Sequence, residues 1–425
     1  MMDFTQLPHG DVTLANVTVP ACLIGQEGDL ITTDISISGG QIAGPRAIAV
    51  DMKGAMVFPA FVDMHTHLDK GHIWPRSPNP DGTFMGALET VMADRAANWS
   101  AEDVRARMEF SLRCAYAHGT RAIRTHLDSI PPQYGISFPL FREVQAEWAG
   151  RIELQASNLI HSGLGGLDGP LPEIAEEVGK TPGGVLGLVT NPMEGLDEVL
   201  RGFFKLAEKH GVKADFHVDE TMDESVETLR TIAEVVLETG FQRGVVVGHC
   251  CSLSAQDESR AMDTLDLVAK AGIDVVSLPM CNLYLQDRTL PGMARTPRRR
   301  GITLVHEMRA RGIRVSFASD NTRDPFYAYG DMDMLEVMRE ATRIGHLDHS
   351  RADWITSFLT DPAATCGFDA PSLMPGAPAD LVIVKARTWS ELFSRPQSDR
   401  IVLRAGQQID RTLPDHAELD HLMRT

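Results

Sequence analysis

The middle of the chain alternates between short apolar runs and longer segments whose apolar residues have helical spacing. The first run starts at Val57, and the others cover residues 121–127, 152–159, 185–189, 214–218, 244–248, 273–278 and 313–318. An apolar run without polar alternation is typical of a strand that is buried on both faces. Eight such strands separated by helices predict an α/β fold, a (β/α)₈ TIM barrel.

The helix between the first two runs carries clear end signals. Ser100 is a good N-cap, and Glu102 and Asp103 favour the first turn of a helix. Gly119 can close the last turn. These residues predict a helix over residues 101–118.

Both ends of the chain have the pattern of short strands instead. Residues 11–19 roughly alternate, residues 34–38 alternate cleanly, and Gly39 and Gly40 predict a tight turn. Near the carboxyl end, apolar runs end at Val384 and at residue 404. We therefore expect a small β-sandwich domain built from residues 1–55 and 369–425, beside a barrel that covers residues 56–368. The polar tail from Asp410 is expected to be peripheral.

Composition narrows the class of protein. Of 425 residues, 43% are hydrophobic and 23% are charged, which is ordinary for a globular protein with a full core. The formal net charge of −18 repels phosphate backbones and anionic membranes, which argues against nucleic acid as a partner. The start of the chain lacks the pattern of a signal peptide, and no apolar run reaches the roughly 18 residues of a membrane helix. With scattered cysteines and no CxxC pair, these features predict a cytoplasmic protein without membrane association.

Two histidines close the first run. His65 and His67 are two residues apart, so in a strand their side chains point to the same face. Paired imidazoles suit a divalent metal such as zinc or iron. Taken alone the pair is weak evidence, because HxH often occurs by chance.

Further polar residues follow other predicted strands. His217 lies near the end of the fifth strand and Glu220 follows it, while His249 follows the sixth run and Asp320 follows the eighth. Since barrel enzymes carry their chemistry at the carboxyl ends of their strands, these side chains are expected to meet. A metal makes hydroxide available at neutral pH, and a carboxylate moves protons to a leaving nitrogen. The set therefore predicts metal-dependent hydrolysis of a C–N bond.

The chain resembles the amidohydrolase superfamily, and within it the branch of cytosine deaminase and N-isopropylammelide hydrolase. The matching stretches are residues 61–70, 124–128, 154–155, 217–220, 279–286, 299–303 and 319–326. The resemblance implies that His65, His67, His217 and Asp320 hold one Zn²⁺ or Fe²⁺. It also implies that Glu220 is the proton shuttle and that His249 and Asp320 orient and activate the water.

The sequence also departs from that branch, mainly around the expected substrate. The strand-four lysine of two-metal members is absent here, where Thr190 follows the run, so the resemblance implies one metal. His161 replaces a glutamine and Asn321 replaces an aspartate, while Phe84 and Phe326 replace other pocket residues. These four are the predicted substrate-binding residues, although a solvent-facing loop histidine is the alternative for His161.

The expected function is a metal-dependent hydrolytic deaminase that releases ammonia from an amino-substituted, cytosine-like heterocycle. One alternative is a hydrolase that removes an alkylamine from an aminotriazine or opens a cyclic amide. A second is a non-catalytic barrel that only binds a small molecule, which is disfavoured because all four metal ligands and Glu220 occur together. Assembly into a homo-oligomer is left open by the sequence.

Overall fold

The computed structural model describes residues 6–289, 292–293, 295–350 and 353–423. The amino-terminal strands are β1 (Val12–Pro20), β2 (Leu30–Ser38), β3 (Gln41–Ala43), β4 (Ala49–Asp51) and β5 (Met56–Pro59). β1 and β2 pair in antiparallel register and bury alternating valine and isoleucine side chains. This is the predicted strand-rich amino-terminal segment.

A parallel barrel forms the centre of the molecule. Its strands are β6 (Phe61–Thr66), β7 (Thr120–Asp128), β8 (Glu153–Leu159), β9 (Val185–Thr190), β10 (Lys213–Val218), β11 (Val245–His249), β12 (Asp274–Ser277) and β13 (Val315–Phe317). Each pairs in parallel with its sequence neighbour. The Asp320 amide donates to the His65 carbonyl at 2.9 Å and joins the last strand to the first. The predicted (β/α)₈ barrel is confirmed.

Helices surround the barrel strands. They are α1 (Phe84–Asn98), α2 (Ala101–His118), α3 (Tyr134–Trp148), α4 (Leu171–Lys180), α5 (Leu196–His210), α6 (Thr228–Thr239), α7 (Glu258–Ala271), α8 (Pro279–Leu285), α9 (Val305–Ala310), α10 (Met334–Gly345), α11 (Thr360–Cys366) and α12 (Trp389–Ser394). In α2 the Ser100 hydroxyl accepts from the Asp103 amide, and Gly119 ends the helix in the left-handed conformation. Among the described residues, no helix is long and apolar enough to cross a membrane.

The carboxyl-terminal strands complete the small β domain. They are β14 (Leu381–Val384), β15 (Ile401–Arg404) and β16 (Gln407–Gln408). The sheet runs β16-β15-β14-β5-β1-β2-β3, with β4 paired to β1. Strands from both chain ends therefore build one domain, as the sequence predicts.

The apolar run that starts at Val57 divides between the two domains. β5 pairs with β14 in the small sheet, whereas β6 opens the barrel. The change occurs at Ala60, whose amide donates to Asp380 of the small domain, while the next amide, of Phe61, donates to Gly119 beside the barrel. The sequence predicts a single buried run here because residues 57–62 are apolar without interruption.

The tail from Asp410 lies mostly exposed at the surface, as expected, but a few contacts anchor it to the rest of the molecule. Leu419 is buried, and Glu418 forms an ion pair with Arg113 of α2 at 2.6 Å. Arg76, on the loop after β6, donates to the Leu422 carbonyl at 3.0 Å. Only an occasional apolar residue marks the segment, so its polar composition concealed this docking.

A buried ion pair joins the segment before β15 to the barrel. The Arg400 guanidinium lies 2.7 and 2.6 Å from the two carboxylate oxygens of Asp333, at the start of α10. Burial raises the pKa of Asp333, but the charge and hydrogen bonds of Arg400 outweigh burial and lower it to about 2. Replacing Arg400 with methionine should lower the free energy of unfolding at pH 7 by about 3–5 kcal/mol, because it leaves a buried carboxylate unpaired.

The pH dependence of urea unfolding tests the origin of that loss. The pair contributes fully above the unfolded pKa of about 3.9 and loses its contribution as the pH falls toward 2. The deficit of R400M should therefore shrink between pH 7 and pH 3. As a control, R387M removes an exposed pair with Glu391 and should cost less than about 1 kcal/mol. A deficit that does not change with pH would contradict this explanation.

Candidate metal centre and substrate cavity

The polar residues predicted at the strand ends meet at the carboxyl-terminal mouth of the barrel. The set comprises His65, His67, His217, Glu220, His249 and Asp320. They come from β6, β10 and β11 and from the turns that follow β6, β10 and β13. Parallel strands end at the same rim of the barrel, so residues far apart in sequence become neighbours.

Four of these side chains converge on a common centre. The Nε2 atoms of His65 and His217 are 3.1 Å apart, and those of His67 and His217 are 3.4 Å apart. Oδ1 of Asp320 lies 3.1 Å from Nε2 of His67 and 3.6 Å from Nε2 of His65. All four side chains are buried. The predicted metal ligands are therefore brought together.

The electrostatics of this cluster suit a cation. Burial above all lowers the pKa of His65, His67 and His217 well below its ordinary value, so these imidazoles are neutral at pH 7. Burial raises the pKa of Asp320 to about 7. A divalent cation at the centre would favour the ionised carboxylate, and metal binding requires neutral imidazoles.

The spacing of the ligand atoms fits a four-coordinate metal ion. Atoms about 2.0–2.1 Å from one tetrahedral Zn²⁺ lie about 3.3–3.4 Å from one another. The separations here run from 3.1 to 3.6 Å. Both carboxylate oxygens of Asp320 are buried without a hydrogen-bond partner among the described residues. Three imidazole nitrogens and one carboxylate are also acceptable to Fe²⁺.

A fourth histidine, for which the sequence predicts no role, lies against this cluster. The ring centre of His126, in β7, is 4.0 Å from that of His65. Nε2 of His126 is 3.2 Å from Oδ1 of Asp215, whose other oxygen accepts from Arg124 at 3.0 Å. This buried group packs against His65 and limits the orientations of its ring.

Glu220 and His249 lie beside the cluster and share a neighbour. Nδ2 of Asn282, in α8, is 3.2 Å from Oε1 of Glu220 and 3.0 Å from Nδ1 of His249. Burial and the charge of Asp320 raise the pKa of Glu220 well above its ordinary value. A carboxyl with a raised pKa is suited to taking up and releasing protons near neutral pH.

A cavity of about 370 Å³ opens over the cluster. Its lining includes His67, His217, Glu220, His249 and Asp320, together with the four predicted substrate residues Phe84, His161, Asn321 and Phe326. The rest of its wall is largely apolar, from Leu88, Val91, Met92, Ile130, Leu159 and Ile160. His65 lies buried behind this lining. One concave space therefore reaches both the metal ligands and the predicted pocket residues.

The four pocket residues differ in how firmly they are held. The rings of Phe84 and Phe326 meet edge to face at 5.4 Å. Asn321 is buried: its Oδ1 accepts from the Cys281 thiol at 3.4 Å, and its Nδ2 donates to Asp324 at 2.8 Å. His161 is exposed and also lines the cavity, and its part in substrate binding stays a prediction.

A charged group in the cavity wall escaped the sequence analysis. Asp128 lies 3.4 Å from Nζ of Lys70 and accepts from Arg95 at 2.9 Å. Burial lowers the pKa of Lys70, but nearby carboxylates, led by Asp128, outweigh burial and raise it, so the ammonium stays charged. Lys70 and Asp128 stand at the ends of polar stretches that close predicted strands, so their positions in the sequence could have indicated that they lie at the barrel mouth. Arg95 lies within α1, and no such sequence pattern marks it.

The barrel and the polar cluster at its mouth define a class of hydrolase, and comparison with known families agrees. The Amidohydrolase family model matches residues 49–128 and 182–410. The chain therefore belongs to the amidohydrolase family and is a hydrolytic enzyme that acts on C–N bonds.

The chain is similar to individual deaminases and amidohydrolases. The chain is 53% identical over 422 residues to pterin deaminase of Rhizobium rhizogenes, a match that covers 96% of this chain and 95% of the relative. It is 24% identical over 388 residues to N-isopropylammelide isopropyl amidohydrolase of a Pseudomonas species, with 85% and 87% covered. The structure of 5-methylcytosine deaminase from Klebsiella pneumoniae, liganded with 5-fluorocytosine, matches with a TM-score of 0.79 at 24% identity, covering 96% of this chain and 98% of that one.

Proposed function

We propose that this enzyme deaminates pterins, which are bicyclic heterocycles with an amino group at C2 and a carbonyl at C4. The observation that carries the proposal is the similarity to pterin deaminase, at 53% identity over 96% of the chain. The sequence predicts a cytosine-like substrate, which has a single ring. Its amino group, like that of a pterin, is attached to a ring carbon that is bonded to a ring nitrogen. The proposal thus keeps the reaction and changes the ring system. The reaction is expected to take place in the cytoplasm.

The cavity supports a bicyclic substrate. Its volume of about 370 Å³ lies in the range of small-molecule sites, and its apolar wall can cover a fused second ring. Phe84 and Phe326 provide aromatic faces and edges for a flat ring system. Lys70 and Arg95 can donate N–H hydrogen bonds to ring carbonyls and ring nitrogens.

In the proposed reaction, water replaces the C2 amino group, ammonia leaves and C2 becomes a carbonyl carbon. The four converging ligands would hold one Zn²⁺ or Fe²⁺, which when bound makes water acidic enough to supply hydroxide near neutral pH. Glu220 accepts a proton from the attacking water and delivers it to the leaving nitrogen. His249 and Asp320 orient that water. One water is consumed for each ammonia released.

The proposal predicts a clear substrate preference. Pterin should have a kcat/KM at least about 100-fold above that of cytosine, because a single ring leaves apolar wall uncovered and polar groups unpaired. Ammonia release by the metal-loaded protein can be measured with pterin, cytosine, isocytosine, creatinine and aminotriazines. Cytosine as the best substrate, or release of an alkylamine from an N-alkyl triazine, would contradict the proposal.

Two residues should account for part of this preference. Asn321 can donate and accept whereas aspartate only accepts, and neutral His161 offers one donor and one acceptor. The variant H161Q/N321D should therefore lower the ratio of pterin to cytosine kcat/KM by at least about tenfold. M92L, a volume-conserving change in the cavity wall, should leave the ratio nearly unaltered. An unchanged ratio in the double variant would remove both residues from the specificity argument.

A further inference from the structure

We infer that Asn282 is a positioning residue that selects the tautomer of His249, so that His249 presents an N–H toward the metal cluster. The inference rests on the proposed function, because it assigns His249 its part in the deamination. It concerns a residue outside the predicted site. Asn282 is buried in α8, and the hydrogen bonds of its side-chain nitrogen go to Glu220 and His249.

The chemistry of the amide fixes the direction of both hydrogen bonds. Nδ2 of Asn282 has two hydrogens and no lone pair to offer, so it can only donate. Its neighbours are Oε1 of Glu220 at 3.2 Å and Nδ1 of His249 at 3.0 Å. A carboxylate oxygen accepts, which agrees with a nitrogen at this position. Nδ1 of His249 lies closer to this amide nitrogen, at 3.0 Å, than to Oε1 of Glu220, at 3.4 Å. We therefore assign Nδ1 the role of acceptor, which places the proton of the neutral ring on Nε2.

The other side of the ring faces the cluster. One ring nitrogen of His249 lies within 4.8 Å of ligand atoms of His65 and Asp320. Since Nδ1 bonds to Asn282, Nε2 is the atom left to face them, and it is buried without a hydrogen-bond partner in the described part of the chain.

An N–H at this point has two consequences. It can donate to the attacking oxygen and stabilise the negative charge that develops there, which is the role of a preorganised donor. It also leaves Nε2 without a lone pair, so His249 cannot bind a metal through that atom. The Asn282 amide thus keeps His249 from acting as a metal ligand through Nε2. The same amide also holds an oxygen of Glu220 close to His249.

Two substitutions at position 282 test the inference. N282L removes both donors with little change in volume, and N282D keeps the shape but can only accept. Each should lower kcat by about 10²–10³-fold, the usual cost of losing one such donor, with KM changed by less than about threefold. Metal content should remain near that of the wild type. The control Q286L loses only a hydrogen bond to the backbone carbonyl of Glu220, at 3.2 Å, and should lower kcat much less.

The tautomer itself can be read without turnover. In zinc-loaded protein labelled with ¹⁵N-histidine, and with H249Q used for assignment, the proton should lie on Nε2 in the wild type and on Nδ1 in N282D. A wild-type proton on Nδ1, or N282L no slower than Q286L, would overturn the inference. Failure of the wild type to deaminate any pterin would instead refute the proposed substrate, since the tautomer is measured with no substrate present.

Discussion

Replacing Glu220 with glutamine should lower kcat by about 10²–10⁴-fold, the range that general acid–base groups usually contribute. Glutamine keeps the shape of the side chain but cannot take a proton from water or give one to a leaving nitrogen. Glu220 is largely buried, lies next to His249 and lines the cavity that reaches Asp320. Steady-state ammonia release with the best pterin measures the effect.

Metal content and thermal stability should stay close to wild type in E220Q, because Glu220 is not among the four converging ligands. E227Q is a matched control, since Glu227 lies on the same connection after β10 but pairs with exposed Arg260. It should change kcat by less than about twofold, as surface substitutions away from special features usually have small effects. A near wild-type kcat in E220Q would place the proton shuttle elsewhere.

Removing the metal should abolish activity and lower thermal stability. We expect about one Zn or Fe per chain, because the side chains of His65, His67, His217 and Asp320 converge on one centre. At the end of β9, where two-metal relatives were expected to carry lysine, Thr190 bonds instead to Thr228 at 2.7 Å. A ligand that binds only the folded state stabilises it, so chelation should lower Tm and re-addition of one equivalent should restore it.

Metal analysis and calorimetry of H217A should show the loss of one ligand. Its metal affinity should fall by at least about tenfold. Losing a group that only hydrogen-bonds to a metal ligand already costs about 10–100-fold, and His217 is itself a predicted ligand. H210N, at the end of α5 and away from the cluster, should keep its metal. Two equivalents of metal in the wild type, with activity proportional to the second, would contradict the single-metal centre.

The barrel and the polar cluster at its mouth could be predicted from the sequence for one physical reason. Buried parallel strands need apolar runs, and polar residues placed after such runs must collect at one rim. His217 and Asp320 lie more than a hundred residues apart in sequence, yet both follow this rule. The strand bounds differ from the predicted runs by no more than two residues for β7 to β13.

Residues that act through pairwise contacts could not be found in the same way. Arg95 reaches Asp128 from a helix face, and no local pattern distinguishes it from a surface arginine. Asn282 has its meaning only from the two atoms that its amide contacts. The division of the run at Ala60 was equally hidden, because it depends on which carbonyl each amide reaches and not on hydrophobicity.

The pairing of β5 with β14 has a consequence for how the chain folds during its synthesis. Met56–Pro59 is made early, but its partner Leu381–Val384 follows about 320 residues later, which takes about 16–64 s at about 5–20 residues per second. Until then β5 has only β1 beside it, and its other edge is open to pairing with foreign strands. That edge of β5 therefore stays exposed to wrong pairing until β14 has been synthesised.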